Sequence, residues 1–358
     1  MHLPTNIHAD YLRLALQAAE EFAGLTAPNP AVGAVLVKEG EVLAVGAHQR
    51  AGTAHAEVNA LTIAGDARGA IAYVTLEPCC HQGKTPPCTH ALIAAGVSQV
   101  FYGLADPNPQ VTGKGQAQLQ AAGILCTHLP LAEINEFYRH YAYFHQHGLP
   151  WVTVKLALSL DGKIAAARGQ PVTLSGAAVN HFTHLQRKRH HCLLTTITTV
   201  QNDDPALNVR LGAEPPLLKP VFILDPWLQF SPQQQLAATA QKIILLHQKG
   251  VSPTKEQQQF ECIEVQGEGG QLDLSEVLVA IAKAGFHSVW VEVGGRCLQS
   301  FLKQNLAQQG YFYICPKLLG DDATPGFPQA SFSDLGLPSW HILGEDVVAN
   351  FQWYNAKN

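Results

Sequence analysis

The stretch that decides the fold is Ala70–Gly96, AIAYVTLEPCCHQGKTPPCTHALIAAG. Its opening, AIAYVTLE, is a short run of apolar, β-branched and aromatic residues and reads as a buried strand. Its close, THALIAAG, reads as a helix, and between the two Cys79 and Cys88 enclose an eight-residue loop with one glycine and two prolines. The same alternation runs outward. Asp10 is expected to cap a helix carrying Tyr11, Leu14, Ala15, Ala18 and Phe22 at helical spacing. AVGAVLVKEG and EVLAVGAH read as a hairpin, AEVNALTIAG as a helix ending at Gly65, and VSQVFYGLAD as a strand. Such a sequence predicts an α/β sheet with helices on its faces.

A second α/β region begins near Pro150 with the strand WVTVKLALSLDG. HCLLTTI, PVFILD, KIILLH, SVWVEVGG and YFYICPKLLG are its further strand candidates, and the Gln-rich SPQQQLAATAQ and KEQQQF read as surface turns or short helices. The boundary is expected in YFHQHGLP, Tyr143–Pro150, which gives domains of residues 1–148 and 149–358.

Composition bounds the function. The 358 residues are 47% hydrophobic and only 14% charged, with a net charge of −5 and a pI near 6.4. That balance argues against a nucleic-acid-coating surface. No stretch approaches the roughly 18 apolar residues of a membrane-spanning helix, and the first residues lack the pattern of a secretory signal. A cytoplasmic protein without membrane or nucleic-acid partners is expected. Eight cysteines over this length are no disulfide framework, so clustered cysteines point to metal ligation or nucleophilic chemistry.

His55 and Glu57, in HAE, stand at the expected start of a helix; Cys79 follows a strand and Cys88 precedes a helix. One imidazole and two thiolates make the three-ligand set of a catalytic zinc ion, with the fourth position left to water. Glu57 is spare as a ligand and suits proton transfer between water and a substrate nitrogen, the division of labour of zinc nucleobase deaminases. Those enzymes carry C-x-x-C, whereas here eight residues separate the cysteines. The alternative is a structural zinc site closed by Cys80 or His81, which leaves Glu57 unexplained.

TAPNPAVGAVLV, GAHQRAGTAHAEVNAL, AYVTLEPCCHQGKTPPC, ALIAAGV and DPNPQVTGKG together resemble the deaminase domain of the bifunctional riboflavin-biosynthesis enzymes, over about the first 148 residues. The resemblance implies a cytidine-deaminase-like three-layer domain. It implies hydrolytic deamination of 2,5-diamino-6-ribosylamino-4(3H)-pyrimidinone 5′-phosphate, with Asn29, His48, His81, Lys84, Asp106 and Asn108 contacting this phosphorylated pyrimidine. KLALSLDGKIA, TTVQNDDPALNVR, WVEVGGRCLQSFL and PKLLG, the last matched to a penultimate strand, resemble the same family's reductase domain, from about Trp151 onward. That half implies a dihydrofolate-reductase-like fold in which NADPH reduces the ribosyl group to ribityl. The resemblance assigns Lys155, Thr199, Asp203, Gly294 and Gly295 to the cofactor and Arg187, Leu207, Arg210 and Glu292 to the substrate. It also implies a homo-oligomer formed through the reductase domain.

Three residues depart from the family pattern: Pro171 where serine is usual, Thr173 where tryptophan is usual, and Pro226 where serine is common. They motivate an alternative in which the second domain has lost its chemistry and serves oligomerisation. A nucleic-acid editor using the same zinc chemistry is disfavoured by the acidic balance and by the long loop between the cysteines.

Overall fold

The computed structural model describes residues 5–80, 86–109, 111–167, 170, 172–212, 214–328 and 335–354. His81, Lys84 and Pro171 lie outside them. The chain divides into two compact units, Met1–Gly148 and Leu149–Asn358.

The first unit runs α1 (Thr5–Glu20), β1 (Gly33–Lys38), β2 (Glu41–Ala47), α2 (Ala56–Ala64), β3 (Ile71–Leu76), α3 (Cys88–Ala94), β4 (Gln99–Leu104), α4 (Lys114–Ala121), β5 (Leu125–His128) and α5 (Ala132–His147). Its five strands lie in the order β2-β1-β3-β4-β5. β1 is antiparallel to β2 and β3, and β3, β4 and β5 are parallel. Alternation along β1 explains the layering. Ala34 and Leu36 pack with Ala56 and Ala60 of α2, Leu92 of α3 and Leu119 of α4. Val35 and Val37 face the other way, onto Leu12 and Ala15 of α1 and Ile134 and Tyr138 of α5. Helices thus cover both faces, the expected three-layer α/β architecture. Gly46 permits a close approach of α2, since a Cβ there would lie 2.4 Å from the backbone nitrogen of Ala60. This seats α2, and the residues at its N-terminus, against the sheet.

One local expectation is corrected. Asp10 does not cap α1, because the helix already starts at Thr5, and its carboxylate instead pairs with Arg13 one turn on at 2.9 Å. The buried stripe is Leu12, Ala15, Leu16 and Ala19, and Phe22 lies beyond the helix.

The second unit opens with β6 (Trp151–Ser159), β7 (Lys163–Ala167), α6 (Ala177–Arg189), β8 (Cys192–Thr196), α7 (Ile197–Asp203), β9 (Pro220–Leu224), α8 (Leu236–Thr239), β10 (Lys242–Gln248) and β11 (Glu261–Val265). It continues with β12 (Gly267–Glu268), β13 (Gln271–Leu272), α9 (Leu274–Lys283), β14 (Ser288–Glu292), α10 (Gly295–Lys303), β15 (Gln309–Cys315), β16 (Ala323–Pro325), β17 (Ser339–Leu343) and β18 (Asp346–Gln352). Nine strands form one sheet in the order β11-β10-β9-β8-β14-β6-β15-β18-β17. The first seven are parallel, and β18 and β17 close the edge antiparallel. The parallel strands are near-continuously apolar because both faces are covered. Val152, Val154, Val289 and Val291 meet Val277 and Ile281 of α9 and Leu298 of α10. Leu193, Val221, Ile243 and Trp290 meet Ile197 and Val200 of α7 and Leu236 of α8. The stretch PKLLG, expected as strand, follows the end of β15 as a loop whose Lys317 carbonyl accepts the Leu160 amide at 2.8 Å.

Candidate active sites

His55 is the N-cap of α2, in extended backbone conformation (φ −74°, ψ 167°) with its imidazole free of any capping role. Glu57 follows in the first turn and is buried, 4% exposed. Cys79 lies just past β3, and Cys88 begins α3 directly after Pro87. A proline immediately before the first turn suits an extended entry into a helix. His55 Nδ1 lies 3.2 Å from Cys88 Sγ and 3.5 Å from Cys79 Sγ, and the Cys88 amide donates to Cys79 Sγ at 3.4 Å. A tetrahedral zinc about 2.1 Å from nitrogen and about 2.3 Å from sulfur would separate such ligand pairs by roughly 3.5 Å. The residues present therefore fit zinc. Among the described residues no fourth ligand joins these three, and Cys80 stays outside the group.

The electrostatics point the same way. A hydrogen bond from Cys88 draws the Cys79 thiol down to about 4, while the same bond and burial push the Cys88 thiol up. Two thiols and a buried carboxyl in one place cannot all ionise without a cation. Glu57 rises to about 7, through burial first and the Cys79 thiolate second, and hydrogen-bonds the Cys88 thiol. The hydrogen bond to Cys79 raises His55.

Around this centre stand two groups of expected substrate residues. His48, 2% exposed, accepts the Asn29 side-chain amide on Nε2 at 3.1 Å and donates from Nδ1 to the Ala54 carbonyl at 3.1 Å. Both contacts assign the neutral tautomer, and burial lowers its pKa. Its ring meets that of His55 edge-on, centroids 5.1 Å apart. Asp106 accepts the Asn108 amide at 2.8 Å and the Tyr141 hydroxyl at 3.2 Å, and burial raises it to about 6.

Sequence reasoning missed Glu77, 3% exposed, immediately before the Pro–Cys pair. Its carboxylate accepts three backbone amides, from Gly113 at 3.0 Å, Gln116 at 3.2 Å and Asp106 at 3.4 Å. It ties the end of β3 to the loop carrying Asp106 and Asn108. A carboxylate that close to a ligand motif was the available signal. Tyr138 was missed as well; its hydroxyl donates to the Ala31 carbonyl at 2.7 Å and meets Thr75 Oγ1 at 2.6 Å.

In the second unit, Glu292 ends β14 and holds Arg187 of α6 in a bidentate pair, Nε–Oε1 2.6 Å and Nη2–Oε2 3.0 Å. Trp290 Nε1 donates to the same carboxylate at 2.8 Å. Lys155 Nζ stands 4.0 Å from Glu292 Oε2 and 5.2 Å over the Tyr313 ring. Burial works against the Glu292 charge, but Arg187 and Lys155 overcome it and hold the carboxyl at about 2. Burial lowers Lys155, which also feels Glu292 and Asp203. Arg187 is held in the interior, its side chain 11% exposed.

The other expected residues are placed as follows. Thr199 lies in α7, its amide capped by Thr196 Oγ1 at 3.2 Å, and Asp203 ends that helix exposed. Leu207 is buried in the core with φ +41°, and Arg210 is exposed. Gly294 is the N-cap of α10 and has open space where a Cβ would be. Gly295 is required for another reason: a Cβ there would lie 1.9 Å from the Gly326 carbonyl oxygen. Only the first of the two glycines offers an open backbone face. Thr173 accepts Lys317 Nζ on its carbonyl at 2.6 Å, and Pro226 accepts the Gln248 amide at 3.1 Å. The loop after Pro226 is organised by Asp225, whose carboxylate accepts the Gln229 and Phe230 amides at 2.8 Å each.

A family model described as the cytidine and deoxycytidylate deaminase zinc-binding region matches residues 5–104, and the RibD C-terminal domain matches residues 150–349. The riboflavin biosynthesis protein RibD of Escherichia coli (strain K12) is 38% identical over 336 residues, covering 87% of this chain and 89% of that protein. The chain belongs to the RibD family. RibD of Aquifex aeolicus is 36% identical, covering 97% of this chain and 99% of that one. The solved structure of Acinetobacter baumannii RibD superposes with a TM-score of 0.86 at 29% identity, covering 97% of this chain and 99% of that chain. A Thermotoga maritima diaminohydroxyphosphoribosylaminopyrimidine deaminase/5-amino-6-(5-phosphoribosylamino)uracil reductase gives 0.83 at 26% identity, covering 97% and 99%. As a RibD-family member the chain is a bifunctional enzyme of riboflavin biosynthesis, a deaminase with a zinc-binding region and a reductase with a dihydrofolate-reductase-like fold. No finding favours a RibD reductase unit that has lost its chemistry. Among the described residues no helix is long and apolar enough to cross a membrane.

Proposed function

We propose that residues 1–148 deaminate 2,5-diamino-6-ribosylamino-4(3H)-pyrimidinone 5′-phosphate and that residues 149–358 reduce the ribosyl group of the product to ribityl with NADPH. The observation that carries the first half is the convergence of His55, Cys79 and Cys88 beside the spare carboxylate of Glu57. Zinc bound by these three residues would supply the Lewis acidity that activates a water toward C2. Glu57 takes a proton from that water, delivers it to the adjacent ring nitrogen, and passes the second to the amine that leaves as ammonia. His48, fixed as a neutral imidazole, and Asn29 read the ring edges. Asp106 and Asn108, held by Glu77, read the ribose. Lys84 and His81 complete the substrate contacts in this reading.

For the second half, Gly294 at the open N-terminus of α10 fits a cofactor phosphate, with Lys155, Thr199, Asp203 and Gly295 on the same side. NADPH would supply a hydride to C1′ when bound. Hydride transfer goes with opening of the C1′–O4′ bond, whose electron pair stays on O4′ and takes up a proton from solvent, which leaves the ribityl chain. Glu292 orients the sugar hydroxyls, Leu207 shapes the wall, and Arg187 and Arg210 bind the phosphate. A cytoplasmic location and self-association through residues 149–358 belong to the same proposal; light scattering reads the latter directly.

The deciding experiment supplies the deaminated ribosylaminouracil phosphate and NADPH to the full chain in a single turnover. Loss of NADPH absorbance with a ribityl product supports the reading, and its absence overturns the second half.

A further inference from the structure

We propose that Asn208 is a positioning residue of the reductase, holding Arg187 and Arg210 side by side as one binding site for the substrate's phosphate. The inference rests on the phosphate role given to the two arginines above. Arg187 comes from α6 and Arg210 from the segment after α7. Asn208 touches both guanidinium groups through two different oxygens. Its main-chain carbonyl accepts Arg187 Nη1 at 3.1 Å, and its side-chain Oδ1 accepts Arg210 Nη1.

Two guanidinium groups brought together repel, and something must hold them. A carboxylate would do so by cancelling a positive charge. Asn208 offers two neutral acceptors and leaves both charges in place. Counting Arg187 and Arg210 against Glu292 leaves one positive charge in excess, suited to an anionic phosphate. Arg187 spends Nε and Nη2 on Glu292 and one Nη1 proton on Asn208, so two of its five N–H donors remain for a ligand. Arg210 is exposed and extends the site toward solvent.

The hub is rigid. Asn208 is 5% exposed, between the buried Leu207 and the bridge of Val209 to Leu217, whose two hydrogen bonds are each 2.9 Å. The Arg210 amide donates to Nδ1 of His184 at 3.2 Å, and His184 lies on α6 one turn before Arg187. The helix that delivers one arginine therefore also fixes the backbone of the other.

The test measures kcat and KM for NADPH-dependent reduction by the full chain, with the phosphorylated intermediate and its dephosphorylated counterpart. Asn208→Ala, the near-isosteric Asn208→Asp and Arg210→Ala are compared with wild type. Asn208→Ala is expected to raise KM for the phosphorylated substrate about 5-fold, and Asn208→Asp, which pairs with Arg210, about 10-fold or more, with kcat within about 2-fold. KM for the dephosphorylated compound and the rate of ammonia release stay unchanged. A merely structural role predicts the reverse order, because the aspartate is the gentler change in shape. Unchanged KM in both Asn208 variants, with KM raised in Arg210→Ala, overturns the role of Asn208 alone. Unchanged KM in Arg210→Ala overturns the phosphate reading beneath it.

Discussion

Nδ1 of His55 lies 3.2 Å from Sγ of Cys88, although 33 residues separate them in sequence. The contact exists because α2 and α3 both present their N-terminal residues at the same end of the sheet, beside the exit of β3.

Losing either thiol should empty the metal site. Cys79→Ser and Cys88→Ser are each expected to lower zinc affinity by more than the roughly 10–100-fold that loss of an outer partner costs. Elemental analysis of dialysed protein should find well under one zinc per chain and no ammonia release. NADPH oxidation on the deaminated intermediate should persist, since that chemistry lies in the other unit.

Glu57→Gln keeps the shape of the site and removes the proposed proton carrier. Deamination should fall by about 10²–10⁴-fold while zinc remains bound. Wild-type turnover in this variant would exclude Glu57 from the proton path.

Glu77 gathers three amides on one carboxylate. Glu77→Gln turns one acceptor into a donor facing those N–H groups, at a cost of about 1–3 kcal/mol. The loop bearing Asp106 and Asn108 should loosen, raising KM for the pyrimidine more than it lowers kcat. Thermal unfolding together with steady-state kinetics checks both effects.

The Arg187–Glu292 pair carries an acid-sensitive part of the second unit's stability. The folded carboxyl, at about 2, lies below its ordinary 4.5. Its contribution is therefore complete above pH 4.5 and is lost as pH falls through about 2. Its size is about 3 kcal/mol. Arg187→Met strands a buried carboxylate and should cost about 3–5 kcal/mol at pH 7. A variant as stable as wild type in denaturant titrations would contradict this.

Lys219 is buried, 1% exposed, and donates to the Lys188 carbonyl at 3.3 Å. Burial, then the repulsion of Lys188, lowers its ammonium to about 7 from 10.5. Between these values the unfolded chain binds the extra proton, so the cost this group imposes on folding is full below pH 7 and fades as pH rises to 10.5. Lys219→Met should stabilise the protein most at neutral pH, and the gap to wild type should close toward pH 10. A gap independent of pH would show that the lysine does not titrate this way.

What the sequence determined by itself was local. HAE joins a candidate ligand and a candidate proton carrier within three residues, and a strand, a loop and a helix bracket the two cysteines. Imidazole and thiolate are rare enough in such spacing to announce a metal, and the apolar runs announced strands. The hairpin, the helix ending at Gly65 and the sheet with covered faces were legible for the same reason. Asp10 misled because a capping residue type also serves inside a helix when an arginine stands one turn on. The second glycine of the pair is explained by the carbonyl of Gly326, thirty-one residues away. Tertiary structure alone decided that Arg187 is buried on Glu292, that Glu77 binds a distant loop and that Asn208 joins two arginines. Arginine, glutamate and asparagine are common on any surface, and their partners are set by the packing of strands and helices far apart in the chain, which no short motif encodes.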